Sequence, residues 1–215
     1  KATLIFDGAM SHAKVYLNGH EIGYWPYGYN SFYLDATPYM KPGESNLLAV
    51  RLENETESSR WYPGAGLYRN VHLRVNKPVL AYGDGNVFEQ SFVVRSPELW
   101  SPETPVLYTA VSRVYDGQEL IDEHTTPFGI RSLEFIPDKG FFLNGKKTYF
   151  KGACMHHDLG PLGAAVNDAA IRRQIHILKD MGCNAIRTSH NMPAPELIKA
   201  CDEMGMMVMA ESFDE

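Results

Sequence analysis

Three short stretches near the end of the chain carry the side chains best suited to chemistry. His156-His157-Asp158 follows the mostly apolar run 150–155. Ser189-His190-Asn191 follows the run 184–188, which contains Arg187. Glu211 follows the run 206–210. The first two polar tips are each followed by a helical pattern. Strand, polar tip and helix, repeated, is the pattern of parallel α/β structure. In such sheets and barrels the reactive groups gather at the carboxyl ends of the strands, where His156, His190 and Glu211 fall.

Other chemistries fit these residues less well. His156 and His157 are neighbours, and neighbouring side chains on a strand point to opposite faces, so the pair is poorly placed to chelate one ion. Zinc needs three or four converging ligands, and no metal site is assigned. The cysteines are Cys154, Cys183 and Cys201. An odd count without close pairing is no disulfide framework, and buried thiols are expected, with Cys154 alone placed where a nucleophile could sit. No Gly-x-Ser-x-Gly elbow supports a serine esterase.

The elements that must position these groups occupy the last part of the chain. Asp168 is predicted to cap a first helix, with Ile171, Ile175, Leu178 and Met181 on one face and Gly182 as its C′ residue. Pro195 suits the first position of a second helix, whose apolar face is Leu197, Ile198, Cys201 and Met204, and Gly205 ends it. A (β/α)₈ barrel needs ~250 residues. The two strand–helix units and third strand here are expected to be the start of such a barrel, truncated within 137–215. The hairpin around Asn144-Gly145 would plug its floor.

The preceding part reads as β structure. Over 1–76, Ala13–Leu17 alternates before the Asn18-Gly19 hairpin signal, and Leu48, Val50, Leu52 and Val71, Leu73, Val75 alternate likewise. An antiparallel sandwich is expected, incomplete at its beginning. Over 77–136, strands are expected at 92–94, 107–115, 119–122 after the Asp116-Gly117 turn begins, and 128–131. An immunoglobulin-like sandwich has about seven strands, so this one is short, or a piece is missing near 82–86. The loop Ser59-Arg60-Trp61-Tyr62-Pro63-Gly64-Ala65-Gly66-Leu67-Tyr68-Arg69-Asn70 crowds aromatic rings with polar groups. That suits sugar binding, or else contact between domains. Its glycines are not a dinucleotide fingerprint, because Arg69 replaces the third and a strand follows.

The length of 215 residues suits two domains or one and a part, and the net charge is −6. Basic residues are scattered, which argues against a nucleic-acid surface. No apolar run reaches the length of a membrane span. Localisation is left between periplasmic or secreted, the favoured direction, and cytoplasmic.

Several of these stretches together resemble glycoside hydrolase family 2. They are 59–64 through Leu67-Tyr68-Arg69-Asn70-Val71, Phe128-Gly129-Ile130-Arg131, Lys139-Gly140-Phe141-Phe142-Leu143-Asn144-Gly145, 151–158, and 184–190. The resemblance covers nearly the whole chain. It implies a jelly-roll over 1–76, an immunoglobulin-like sandwich over 77–136 and a TIM barrel from 137. His156-His157-Asp158-Leu159-Gly160 with Gly163-Ala164-Ala165 looks more like the β-galactosidase branch than the glucuronidase branch.

The resemblance also implies roles. His156 and His190 match histidines that bind sugar hydroxyls. Arg187 matches an arginine that keeps the nucleophile ionised, although a plain structural pairing with a core carboxylate would look the same. Asn70 stands where many members carry an aspartate that reaches the sugar. Glu211, His157 and Asp158 are supporting residues. Glu211 and Glu215 fall near Mg²⁺ positions of some members, and Mg²⁺ or Na⁺ is left open for the full-length protein. A retaining glycosidase needs an acid/base and a nucleophile about 5–5.5 Å apart. In the family these follow the fourth and seventh barrel strands, so both are expected beyond Glu215. The expectation is a retaining β-glycosidase acting on β-galactosides, with the 215-residue piece inactive alone and oligomerisation left open. The alternative is a carbohydrate-binding β-sandwich protein without catalysis.

Overall fold

The computed structural model describes residues 1–56, 64–75 and 90–212. It forms two compact units, one of Lys1–Val75 with Phe150–Glu215 and one of Asn76–Tyr149.

The first unit begins with β1 (Ala2–Phe6), β2 (Ala13–Leu17), β3 (His20–Trp25), β4 (Phe32–Asp35), β5 (Leu48–Arg51) and β6 (Val71–Val75). They make two antiparallel sheets, ordered β4-β1-β6 and β3-β2-β5. Alternation decides which face is inside: Ala13, Val15 and Leu17 are buried, whereas Lys14 and Tyr16 are only partly covered. Asn18 and Gly19 both take positive φ, 53° and 86°, as a type I′ turn requires. Ala2, Leu4 and Phe6 of one sheet meet Ala13, Val15 and Leu17 of the other in a shared core. At its centre Phe6 stacks on Phe32, with centroids 4.7 Å apart, and Trp25 stacks on Phe32 at 5.6 Å. Phe6 is fully buried. Replacing it by alanine is expected to cost about 3–5 kcal/mol, read as a lowered midpoint in urea unfolding.

The second unit contains β7 (Tyr108–Asp116), β8 (Glu119–Phe128), β9 (Leu133–Ile136), β10 (Gly140–Leu143) and β11 (Lys146–Lys147). β7 and β8 form a hairpin across Asp116-Gly117, and the others form a sheet ordered β11-β10-β9. Trp100 is buried, with the Arg131 guanidinium 4.7 Å from its ring centroid. Asn144 holds it in place: Nδ2 donates to the Trp100 carbonyl at 3.0 Å, and Oδ1 accepts from Ser132 N at 3.0 Å.

Several expectations are corrected here. Residues 92–94 are not a strand: Phe92 and Val93 stand exposed, so their β-forming side chains gain no partner among the described residues. β8 runs on to Phe128 because it pairs with β7 along its whole length, Phe128 opposite Tyr108. Residues 129–131 follow it as loop. The region 82–86 lies outside the described residues, as do residues 59–63 of the aromatic loop and Glu215.

The chain then returns to the first unit with β12 (Gly152–Met155), α1 (Asp168–Asp180), β13 (Ala185–Thr188), α2 (Pro195–Met204) and β14 (Met207–Ala210). The three strands are parallel, ordered β12-β13-β14. Ile175 of α1, Ile186 of β13, Cys201 of α2 and Met206 form their common core. The cap of α1 is Asn167, not Asp168: Asn167 Oδ1 accepts from Ala170 N at 3.0 Å. Asp168 instead lies in the first turn, where a carboxylate complements the helix dipole. Pro195 opens α2 and Gly205 closes it in the left-handed region at φ 75°. Among the described residues no helix is long and apolar enough to cross a membrane.

Candidate functional site

Parallel register brings the candidate residues to one end of the sheet. Met155 lies beside Thr188, and Thr188 beside Ala210. His156, Ser189-His190 and Glu211 therefore all leave their strands at the same level. The Glu211 backbone N donates to Thr188 Oγ1 at 3.1 Å, which ties the turn after β14 to β13. Thr188 is buried.

Glu211 is the centre of the cluster. Its Oε1 accepts from Arg187, and its Oε2 lies 3.0 Å from His190 Nδ1. An ionised carboxylate only accepts, so Nδ1 carries the proton. Arg187 Nη2 lies 3.5 Å from the same Nδ1, a longer contact that loses to the carboxylate. Contact with Cys154 Sγ and with Glu211 pushes the Arg187 guanidinium above its ordinary value. His156 stands edge-on to His190, with ring centroids 5.7 Å apart. An imidazole pair beside a fixed carboxylate–guanidinium pair is suited to hold sugar hydroxyls in set directions.

Not every candidate joins this cluster. His157 turns the other way and lies between the rings of Tyr29 and Tyr68, at 5.2 and 6.2 Å. The Asp158 carbonyl accepts from Gln174 Nε2 at 3.2 Å. Asn70 Nδ2 donates to Glu196 Oε1 in the first turn of α2. The carboxylate that Arg187 pairs with here is Glu211.

Three residues that matter here were not singled out from the sequence: Thr188, Glu196 and Arg69. Arg69 is 5% exposed, and donates to the carbonyls of Asp7, Tyr29 and Met192. A charged residue set between Tyr68 and Val71 was the available signal. Tyr68 is buried beside it, and desolvation pushes its phenol up from the ordinary value, against the opposing pull of Arg69. A cavity of about 40 Å³ lies there, lined by Tyr68, Arg69, His156, His157, Thr188 and Leu197 among others. At ~10–15 Å³ per water it holds a few waters. Among the described residues no group of three or more His, Cys, Asp or Glu converges to hold a metal.

The thiols differ sharply. Cys154 is exposed and Cys201 buried. Burial, aided by Asp202, pushes the Cys201 thiol from 9.0 up to about 12. Its folded value is raised, so the proton it keeps contributes stability fully below pH 9.0, and that contribution is lost as pH climbs toward about 12. Iodoacetamide below pH 9.0 is expected to alkylate Cys154 and spare Cys201, as peptide mapping would show.

Two family models match the chain. The one described as "Glycosyl hydrolases family 2" matches residues 45–131, and "Glycosyl hydrolases family 2, TIM barrel domain" matches 135–215. The chain belongs to glycosyl hydrolases family 2. Its family relatives include the β-galactosidase BoGH2A of Bacteroides ovatus, 42% identical over 97% of this chain and 32% of that protein. A family 2 member from Bacteroides cellulosilyticus has the same fold, with a TM-score of 0.91 and 34% identity over 99% of this chain and 35% of the other. A β-glucuronidase of Bacteroides uniformis aligns with a TM-score of 0.82 and 27% identity, over 97% of this chain and 33% of its own. The chain thus spans about a third of the length of these family 2 relatives.

Proposed function

We propose that the protein is a retaining β-glycosidase that removes terminal β-linked sugars, with β-galactosides as its substrates. The observation that carries this reading is the His156, His190, Arg187 and Glu211 cluster at the carboxyl ends of β12–β14. In this reading residues 1–76 belong to a jelly-roll, 77–136 to a short immunoglobulin-like sandwich, and 137–215 to the start of a TIM barrel. Identity of 42% to a named β-galactosidase, against 36% to a named putative β-glucuronidase, supports galactose over glucuronate.

The residues act on binding. His156 and His190 Nε2 hold hydroxyls of the sugar. Glu211 fixes the proton of His190 on Nδ1, which directs Nε2 toward the sugar as an acceptor. Arg187 donates to Glu211 Oε1 and holds the carboxylate in place. Asn70, gripped through Nδ2 by Glu196, offers its amide oxygen to a hydroxyl. His157 and Asp158 support the wall behind them. The acid/base and the nucleophile of a retaining mechanism lie outside Lys1–Glu215, and Glu211 is neither.

The test uses the full-length protein with p-nitrophenyl β-galactoside and p-nitrophenyl β-glucuronide. The expected result is hydrolysis of the galactoside, with the β-anomer of galactose appearing first by proton NMR, and a glucuronide rate lower by about tenfold or more. Release of the α-anomer first would refute retention. Faster glucuronide cleavage would overturn the galactoside assignment. Saturable sugar binding with no hydrolysis would favour a binding module.

A further inference from the structure

We propose that Arg69 is a positioning residue for His190. The side chain belongs to the β-sandwich portion of the first unit, in the segment leading into β6. Its Nη1 donates to the carbonyls of Asp7, at 3.2 Å, and Tyr29, at 2.6 Å. Its Nη2 donates to the carbonyl of Met192, at 2.8 Å. Two acceptors are therefore in the sandwich and the third is in the loop between β13 and α2. Met192 is two residues past His190, and at about 3.5 Å per residue the held carbonyl sits within one short span of the imidazole.

The neighbours of Arg69 grip the same region. The Tyr68 carbonyl accepts from Val166 N at 2.9 Å, in the loop between β12 and α1. Asn70 reaches Glu196 at the start of α2. Three consecutive residues thus bind both loops that follow the site strands, and Arg69 is the one whose charged side chain is buried. Charge-assisted donation to several carbonyls in fixed directions needs the planar fork of guanidinium. An ammonium in the same place keeps the charge but cannot reach carbonyls that diverge around a fork. The buried clamp holds the backbone, and Glu211 then holds the ring: Arg69 sets where His190 is, and Glu211 sets which nitrogen carries the proton.

The kinetic arm of the test rests on the glycosidase reading, whereas the spectroscopic arm does not. Arg69→Lys and Arg69→Met are made in full-length protein labelled with ¹⁵N-histidine, with His190→Gln to assign the His190 signals. Both variants are expected to shift or broaden the His190 imidazole signals while leaving those of exposed His176 unchanged. Both are expected to lower kcat/KM for the β-galactoside about tenfold. Lysine is expected to behave like methionine. Unchanged His190 signals in the folded variants, or full rescue by lysine, would overturn the proposal. If neither variant folds, the wild type decides: resolved, slowly exchanging Arg69 guanidinium protons with cross-peaks to Met192 support it, and a freely rotating guanidinium overturns it. If the wild type cleaves no glycoside, the proposed function fails, and the histidine spectra still judge Arg69.

Discussion

Glu211→Gln in the full-length protein is expected to lower kcat/KM for a β-galactoside by about 10²-fold while leaving the fold intact. Glutamine keeps the shape and the backbone bond to Thr188 Oγ1. It loses the charge, and one of its two terminal atoms becomes a donor. Arg187 and His190 Nδ1 both donate to Glu211, at opposite oxygens. Glutamine can satisfy only one of them. If its oxygen stays with Arg187, its amide donates to Nδ1, and the His190 proton moves to Nε2. The nitrogen facing the sugar then changes from acceptor to donor. Stability should fall only slightly, because the ion pair is partly exposed: 42% of the Arg187 side chain and 20% of that of Glu211 are accessible. A large loss of activity with a small loss of stability is the signature to look for. Imidazole ¹⁵N shifts would report the tautomer directly. Activity within threefold of wild type, with the tautomer unchanged, would remove Glu211 from the site.

Much of this arrangement was legible before the structure, for physical reasons that differ by residue. The strands of the parallel sheet announce themselves as apolar runs ending in polar tips, and Pro195 and Gly205 mark the ends of α2 by restricting φ and by permitting its positive range. The opposite orientations of neighbouring side chains separate His156, which meets His190, from His157, which meets Tyr29 and Tyr68. Local chemistry was misread at the α1 cap, where Asp168 was expected and Asn167, one residue earlier, accepts from Ala170 N. It failed at 92–94, where β propensity had no partner strand to act on among the described residues. It gave Arg69 no site role, because a place between Tyr68 and Val71 does not by itself decide that an arginine is buried. That is decided by carbonyls of Asp7, Tyr29 and Met192, which lie far apart in sequence.

Gly152→Ala should be the most damaging small substitution in the parallel sheet. Gly152 opens β12 directly beside Ala185 of β13. A Cβ added there would lie 1.8 Å from the Ala185 carbonyl oxygen and 2.7 Å from its carbon. Those atoms are backbone and have no rotamer to escape into, so the strands must part. The neighbouring bonds resist: Lys151 N donates to Asn184 Oδ1 at 2.8 Å, and Lys151 O accepts from Asn184 N and Ala185 N at 2.8 and 3.2 Å. Overpacking typically costs about 1–3 kcal/mol, and a clash with unyielding backbone belongs at the top of that range or above it. The functional consequence follows from position. His156 hangs from the far end of β12 and His190 from that of β13, so parting the strands changes the 5.7 Å separation of their rings. Urea unfolding should therefore show a loss of about 3 kcal/mol or more, and residual folded protein should have weakened sugar affinity. A loss below ~1 kcal/mol with normal affinity would mean that β12 shifts freely against β13. The site could not then owe its geometry to their close approach, and the Arg69 clamp on the β13–α2 loop would have to supply what the strands do not.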